Sequence, residues 1–346
     1  MTPLSTPPAR GRATIRDVAR LAEVGIKTVS RVINDEPNVS AVTAAKVRTA
    51  IDALRYEPDL TAGSLKRTGR RTNTIGLLLG SVANPFSAAM HRAIEDVASA
   101  RGVAAFASSL DEDPERERAA VSAFLRRRVD GLILTCVAPS QDYLTQEQEH
   151  GTPIVFVDRE PTGITADLVV ADNAVGSARA ARHLLQHGHR RMAVLLDRPD
   201  IWTAAERRRG FLEEATRWGL DAAAVTVVAG LQDEAAARAA VLGLLRSADP
   251  PTAVFSAQNL ITVGAVQALR DSDAQHRVAL IGFDDFALAD LLDPGVTVVA
   301  QRPDRIGALA AELLLRRLDG ETFPPEYAVL PTDLIRRGSG EIRPPG

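Results

Sequence analysis

From Thr74 onward the chain alternates short apolar runs with helical stretches, and this alternation limits the fold more than any other feature. TIGLLLG precedes a helix at about Phe86–Arg101, VAAFASS one at Pro114–Arg128, GLILTC one at Asp142–Glu149, and PIVFVD a loop. The cycle resumes with LVVAD, Val175–His187, RMAVLL, Ala204–Trp218, VTVVAG, Glu234–Leu245, TAVFSA, Ile261–Arg270 and VALIGFDD. Strand–helix alternation of this kind predicts parallel sheets covered by helices on both faces. The number of units exceeds what one sheet holds, so the pattern predicts an α/β body of two doubly wound lobes. No internal repeat of shorter period stands out.

The segment before this body has a different period. In TIRDVARLAEVGIKTVSRVIN, residues Ile15, Val18, Ala19 and Ala22 follow helical spacing, and Val29, Val32 and Ile33 do so again after Gly25. Two short helices joined by a tight turn result, with Gly25 as the turn residue whose missing Cβ eases the geometry. Lys27, Ser30, Arg31 and Asn34 share the outward stripe of the second helix. Arg and Lys donate to guanine O6 and N7 and Asn pairs with adenine, so such a face suits a DNA major groove. Ser40 is placed to cap a third helix at Ala41–Leu54, whose Val47, Ala50, Ile51 and Leu54 close a small core.

Charge separates the two parts. Through Asn73 there are thirteen Lys and Arg against seven Asp and Glu, a head of +6, which leaves −9 for the remainder of a chain whose total is −3. A basic head on an acidic body is the footprint of a DNA-binding module joined to something else. The opening MTPLSTPPARGRA lacks the apolar stretch of a secretory signal and reads as a disordered tail over residues 1–12. No run approaches the roughly 20 apolar residues that span a bilayer. Cys136, the single cysteine, lies in an apolar run and reads as a buried thiol. A cytoplasmic protein with no membrane contact is expected.

The string TIRDVARLAEVGIKTVSRVIN, followed by PNVS, resembles the head of the LacI family of transcription regulators, and the similarity extends from Thr14 to about Gly338. It implies an N-terminal three-helix helix-turn-helix head (13–58), a hinge helix and linker (59–73), and a two-lobed, periplasmic-binding-protein-like body (74–340). The lobe break is expected near Thr162–Asp167, with a last helix at about Arg305–Leu318 crossing back. Lobe one is then about 74–162 plus 302–340, and lobe two about 163–301.

The resemblance also implies functional positions. Thr14, Thr28, Ser30, Asn34 and Ser40 match phosphate or groove-edge contacts, with Ile15 beside them, while Ile26, Lys27 and Arg31 occupy base-reading positions. For Ile26, contact with a thymine methyl and packing onto Val29 are equal readings. Leu65 matches a leucine that wedges into the minor groove from the hinge helix, although Asp59 stands where the family usually has Asn. In the body, ligands of open α/β sheets bind beyond the carboxyl ends of strands. That rule, with the family pattern, selects Phe86, Asp158, Arg159, Trp202, Thr203, Arg207, Gln258 and Asp284, and less firmly Gln301. Arg, Asp and Gln around an aromatic suit a polyhydroxyl, sugar-like effector.

Two other readings have to be weighed. A transporter's solute-binding protein shares the two lobes but needs an export signal and no DNA-binding head. An enzyme would be expected to carry a chemical motif, and the chain has no GxGxxG after its first strand, no Walker loop and no GxSxG. No cofactor and no metal are expected. His187 and His189 in QHGHRR read as a solvated loop, and Asp285 as a turn cap. The expectation is a homodimeric repressor on two-fold operator DNA, without the leucine heptad that would make a tetramer.

Overall fold

A computed structural model describes residues 13–33, 36–56, 71–221 and 224–345. The expected tail (1–12), Asn34, and nearly all of the hinge with Leu65 lie outside the described residues. The chain divides into two compact units that meet at Thr72 and Asn73.

The described residues of the first unit form three helices, α1 (Ile15–Leu21), α2 (Ile26–Ile33) and α3 (Ala41–Leu54), around Val18, Ala19, Ala22, Val29, Val32, Val47 and Ala50. The Asp17 carboxylate accepts from the backbone N–H and the hydroxyl of Thr14 (3.0 and 2.6 Å), closing the start of α1. Ser40 Oγ accepts from the Thr43 amide at 3.2 Å and caps α3. The tight turn differs from expectation in one detail. Glu23, not Gly25, adopts the left-handed conformation (φ 55°), while the Gly25 carbonyl accepts the first amides of α2, from Thr28 and Val29.

The second unit contains two six-stranded sheets. The first is built from β1 (Thr74–Leu79), β2 (Ala104–Ser109), β3 (Gly131–Leu134), β4 (Ile154–Val157), β5 (Asp167–Ala171) and β11 (Tyr327–Leu330), in the order β11-β5-β4-β3-β1-β2. The second uses β6 (Met192–Leu195), β7 (Val225–Val228), β8 (Ala253–Ser256), β9 (Ala279–Phe283), β10 (Thr297–Ala300) and β12 (Asp333–Ile335), in the order β12-β10-β9-β8-β6-β7. Strand for strand the two orders match, except that β11 runs parallel to β5 whereas β12 is antiparallel to β10. The central strands are buried along their whole length because helices cover both faces.

This topology corrects the lobe boundaries. LVVAD, placed in lobe two by its order in the chain, is β5 of the first sheet. The tail assigned wholly to lobe one divides instead. β11 joins the first sheet, while β12 and the turn at Ser339–Glu341 join the second. The chain therefore passes between lobes three times: before α7 (Asn173–Gln186), before α11 (Pro303–Leu318), and between β11 and β12. Asp172 Oδ1 accepts from the Thr332 amide at 2.8 Å, and Arg179 donates to the Thr332 carbonyl, so the first and third crossings are tied together.

The histidine loop is also not solvated throughout. His189 is fully buried, with Nδ1 2.9 Å from Thr252 Oγ1 and Nε2 2.8 Å from the Ile342 carbonyl. The ring fixes the C-terminal segment against the second sheet. Burial lowers the pKa of His189 and of neighbouring His183, whose Nε2 is 2.7 Å from Glu341. Asp285 accepts from the Phe286 amide, as a turn cap does, and also forks onto Arg337.

Candidate effector cleft and recognition helix

A cavity of about 500 Å³ opens where the carboxyl ends of the two sheets face each other. Matched positions supply its two central carboxylates. Asp158 follows β4 and Asp284 follows β9, with left-handed φ of 68° and 71°. Each amide donates to the neighbouring strand, to the Val169 carbonyl at 3.0 Å and the Val299 carbonyl at 2.9 Å. Aspartate tolerates this conformation better than most residues, and in both lobes the carboxylate ends at the cavity.

Arg207 stands opposite, on α8 (Trp202–Arg217). One turn further on, Gly210 lets this helix approach α7 so closely that a Cβ there would lie 2.0 Å from the Ala174 carbonyl oxygen. That contact brings Arg207 Nε to 2.7 Å from Asn173 Oδ1, while Nη1 donates to the Ala257 carbonyl at 2.8 Å. The guanidinium lies 3.8 Å from Asp284 and over the Phe283 ring, at 3.9 Å from its centroid. Burial pulls its pKa below the ordinary arginine value, against the Asp284 and Asp158 carboxylates. Gln301 donates Nε2 to Asp284 Oδ1 at 2.6 Å, and its Oε1 is buried without a hydrogen-bond partner. Burial raises the pKa of Asp158 and of Asp197, which follows β6.

The remaining candidates divide. Phe86, Thr203 and Gln258 line the cavity, but Gln258 Oε1 also caps α10 (Asn259–Asp271) by accepting from Leu260 and Ile261. Trp202 does not line it. It packs instead against the apolar layer of the first lobe, whose members include Phe124, Leu134 and Phe156. Arg159 does line the cavity, yet its fork is engaged: Nη1 and Nη2 donate to Glu112 at 2.7 and 2.5 Å, and Nη1 also to the Cys136 carbonyl at 3.2 Å. Cys136 is buried, and desolvation holds its thiol well above the ordinary value.

Sequence reasoning missed Glu112, Asp197, Arg198 and Asn84. Asp197 and Glu112 lie just beyond the carboxyl ends of β6 and β2, where the strand-end rule applied to every strand would have found them. Asn84 caps α4 (Pro85–Ala100) through the Phe86 amide and exchanges amide hydrogen bonds with Asn259 across the cleft (3.3 and 2.9 Å). Arg198 of lobe two reaches the Glu112 carbonyl at 3.3 Å. Both contacts hold the lobes together over the cavity. Among the described residues, no group of three or more His, Cys, Asp or Glu could hold a metal ion. No described helix is long and apolar enough to cross a membrane.

On the head, Val29 and Val32 are buried and Ile26, Lys27 and Arg31 are exposed on α2. Ile26 is 46% exposed, so packing onto Val29 does not consume it. Thr28 and Ser30 are half-buried at the edges of this face. Thr14 and Ser40 stand at the starts of α1 and α3, where both side chains take part in capping, and Ile15 packs partly on the core.

Comparison with known proteins agrees with this division. Residues 14–59 match the lacI family of bacterial regulatory proteins, and residues 181–340 a periplasmic binding protein-like domain. The ribose operon repressor of Escherichia coli (strain K12) is 33% identical over 330 residues, 94% of this chain and 99% of that one. The lac repressor dimer bound to operator and the anti-inducer ONPF is 25% identical, with a TM-score of 0.82 over 95% of this chain and 99% of its own. A complex of the transcriptional regulator CelR with cellobiose is 32% identical, with a TM-score of 0.66 over 95% of this chain and all of its own. With its DNA-binding head, its two-lobed body and full-length similarity to such regulators, the chain belongs to the lacI family of bacterial regulatory proteins.

Proposed function

We propose that this protein is a cytoplasmic, homodimeric transcriptional repressor whose operator affinity is set by a polyhydroxyl, sugar-class effector bound between the lobes. The observation that carries the effector class is the composition of the cleft. Asp158, Asp284 and the unpartnered Gln301 Oε1 offer acceptors to hydroxyl groups, with the half-buried ring of Phe86 at the same cavity. Ribose and cellobiose appear with relatives of this chain, which supports the same class.

On the DNA, Lys27, Arg31 and Ile26 read bases while Thr14, Ile15, Thr28, Ser30 and Ser40 hold the backbone, with Asn34 and Leu65 completing the contacts. Phosphate contacts set register and base contacts set sequence. Two copies place two such helices on a two-fold operator. Effector binding changes lobe closure and so operator affinity, a coupling typically worth about 1–3 kcal/mol. The protein acts by binding and does no chemistry on its ligand. A periplasmic solute-binding protein would have no use for the head.

The test measures binding of purified protein to DNA from its own promoter neighbourhood, at one stated salt concentration, with and without a panel of sugars and nucleobases. Specific binding that one sugar alters is the expected result. A response to a nucleobase alone would overturn the effector class, and no preference over random DNA would overturn the repressor reading.

A further inference from the structure

The chemistry of Arg159 in the cleft depends on a residue 47 positions earlier. The loop after β2 places two successive non-glycine residues, Asp111 and Glu112, in the left-handed region (φ 51° and 57°). Such backbone is costly and persists where its surroundings enforce it. Here the Asp111 amide donates to the Gly80 carbonyl at 2.7 Å, Arg116 pairs with the Asp111 carboxylate, and Arg198 holds the Glu112 carbonyl from the other lobe. The result aims the Glu112 carboxylate at Arg159, where both oxygens take the two ends of the fork.

A planar guanidinium at a cavity wall is well suited to phosphate, which it binds with two parallel hydrogen bonds. Glu112 occupies that geometry. The other two guanidiniums are engaged as well. Arg207 serves Asn173 and Ala257, and Arg198 forks onto Asp200 at the cleft mouth (3.1 and 2.5 Å). Five carboxylates, from Asp111, Glu112, Asp158, Asp197 and Asp284, line the cavity against three guanidiniums. An anionic ligand would meet a net negative wall with no arginine fork open to it.

We propose that Glu112 is a specificity-determining residue: by occupying the fork of Arg159 it makes the cleft select uncharged polyhydroxyl ligands and reject their phosphorylated forms. This rests on the sugar-class reading above and adds to it the charge of the ligand. It also reassigns Arg159, which positions the cleft wall and does not itself grip an anion.

The experiment is calorimetric titration of the full-length protein and of Glu112→Gln with inorganic phosphate, with D-ribose against D-ribose 5-phosphate, and with D-glucose against D-glucose 6-phosphate. Glutamine keeps the size of the side chain but gives up the second charged acceptor, so the fork is released. Wild type is expected to prefer each free sugar to its phosphorylated form and to bind inorganic phosphate weakly, at least about tenfold more weakly than Glu112→Gln binds it. Unchanged phosphate affinity in a folded Glu112→Gln would overturn the proposal, as would wild type preferring a phosphorylated sugar to its free form. The wild-type comparison stands even where the variant does not fold. Failure of every sugar, free or phosphorylated, would remove the sugar-class reading alone, because the phosphate comparison still decides the role of Glu112.

Discussion

Replacing Arg207 with Met removes the guanidinium from the centre of the cleft and leaves an aliphatic stem over Phe283. Two buried acceptors, Asn173 Oδ1 and the Ala257 carbonyl, lose their donor, and Asp284 keeps its charge with the opposing cation gone. Breaking a buried pair from one side costs about 3–5 kcal/mol, mostly as the penalty on the charge left behind. The body should stay folded, because a domain typically has about 5–15 kcal/mol in hand. Adding Asp284→Asn removes that stranded charge, so the double variant should recover at least about 2 kcal/mol of the loss. Both tryptophans, Trp202 and Trp218, lie in the body, so urea denaturation followed by their fluorescence reports on this unit and not on the head. Operator binding by the double variant should match wild type while the response to the effector disappears. Additive losses in the two single variants would refute the coupling, and a normal response from the double variant would refute the placement of the effector against this pair.

Other expectations are smaller in scope. Lys27→Ala should relax base preference at one operator position by about 1–3 kcal/mol in selection from a randomised site; uniform weakening across all sequences would make Lys27 a phosphate contact instead. Burial holds the Asp158 carboxyl above its unfolded value near 3.8, so the stability linked to it is present below that pH and lost as pH rises through the folded value. At neutral pH the folded protein bears this cost, and Asp158→Asn should raise the unfolding free energy by about 0.5–2 kcal/mol while weakening effector binding; a less stable variant would contradict it. His189 shifts the other way. Its folded pKa lies below the unfolded value of 6.5, so its contribution is complete above that pH and declines as acid protonates the buried ring. Urea stability should therefore fall between pH 7 and pH 5, less steeply in His189→Gln, and an equal slope in both proteins would exclude His189 as a source.

Much of the fold was legible because burial leaves a pattern in sequence. Strands such as GLIL and IVFV are apolar along their length because both faces are covered. Asp284 could be found because strand ends converge on the cleft, and Arg207 by its match to a family position three residues before Gly210. The lobe boundary was not legible. LVVAD is equally suited to either sheet, and its place depends on pairing with β4 and β11, the latter about 160 residues away. Glu112 was hidden for a related reason. Its direction comes from a left-handed backbone that no glycine signals, and its partner is far off in sequence. Trp202 was placed toward the cleft by its match to a family position, and a matched position does not show which lobe the side chain packs against.

The triple crossing has a consequence for the order in which the protein is made. Domains emerging from a ribosome fold as units, N-terminal first. The head's described helices are complete by Leu54, contiguous in sequence. Neither lobe is contiguous. The first waits for α11 and β11 and the second for β12, so both sheets receive their last edge strand only when residues 327–335 have been synthesised. A growing chain thus carries a finished DNA-binding head for some 280 residues of synthesis before the cleft that governs it can be completed.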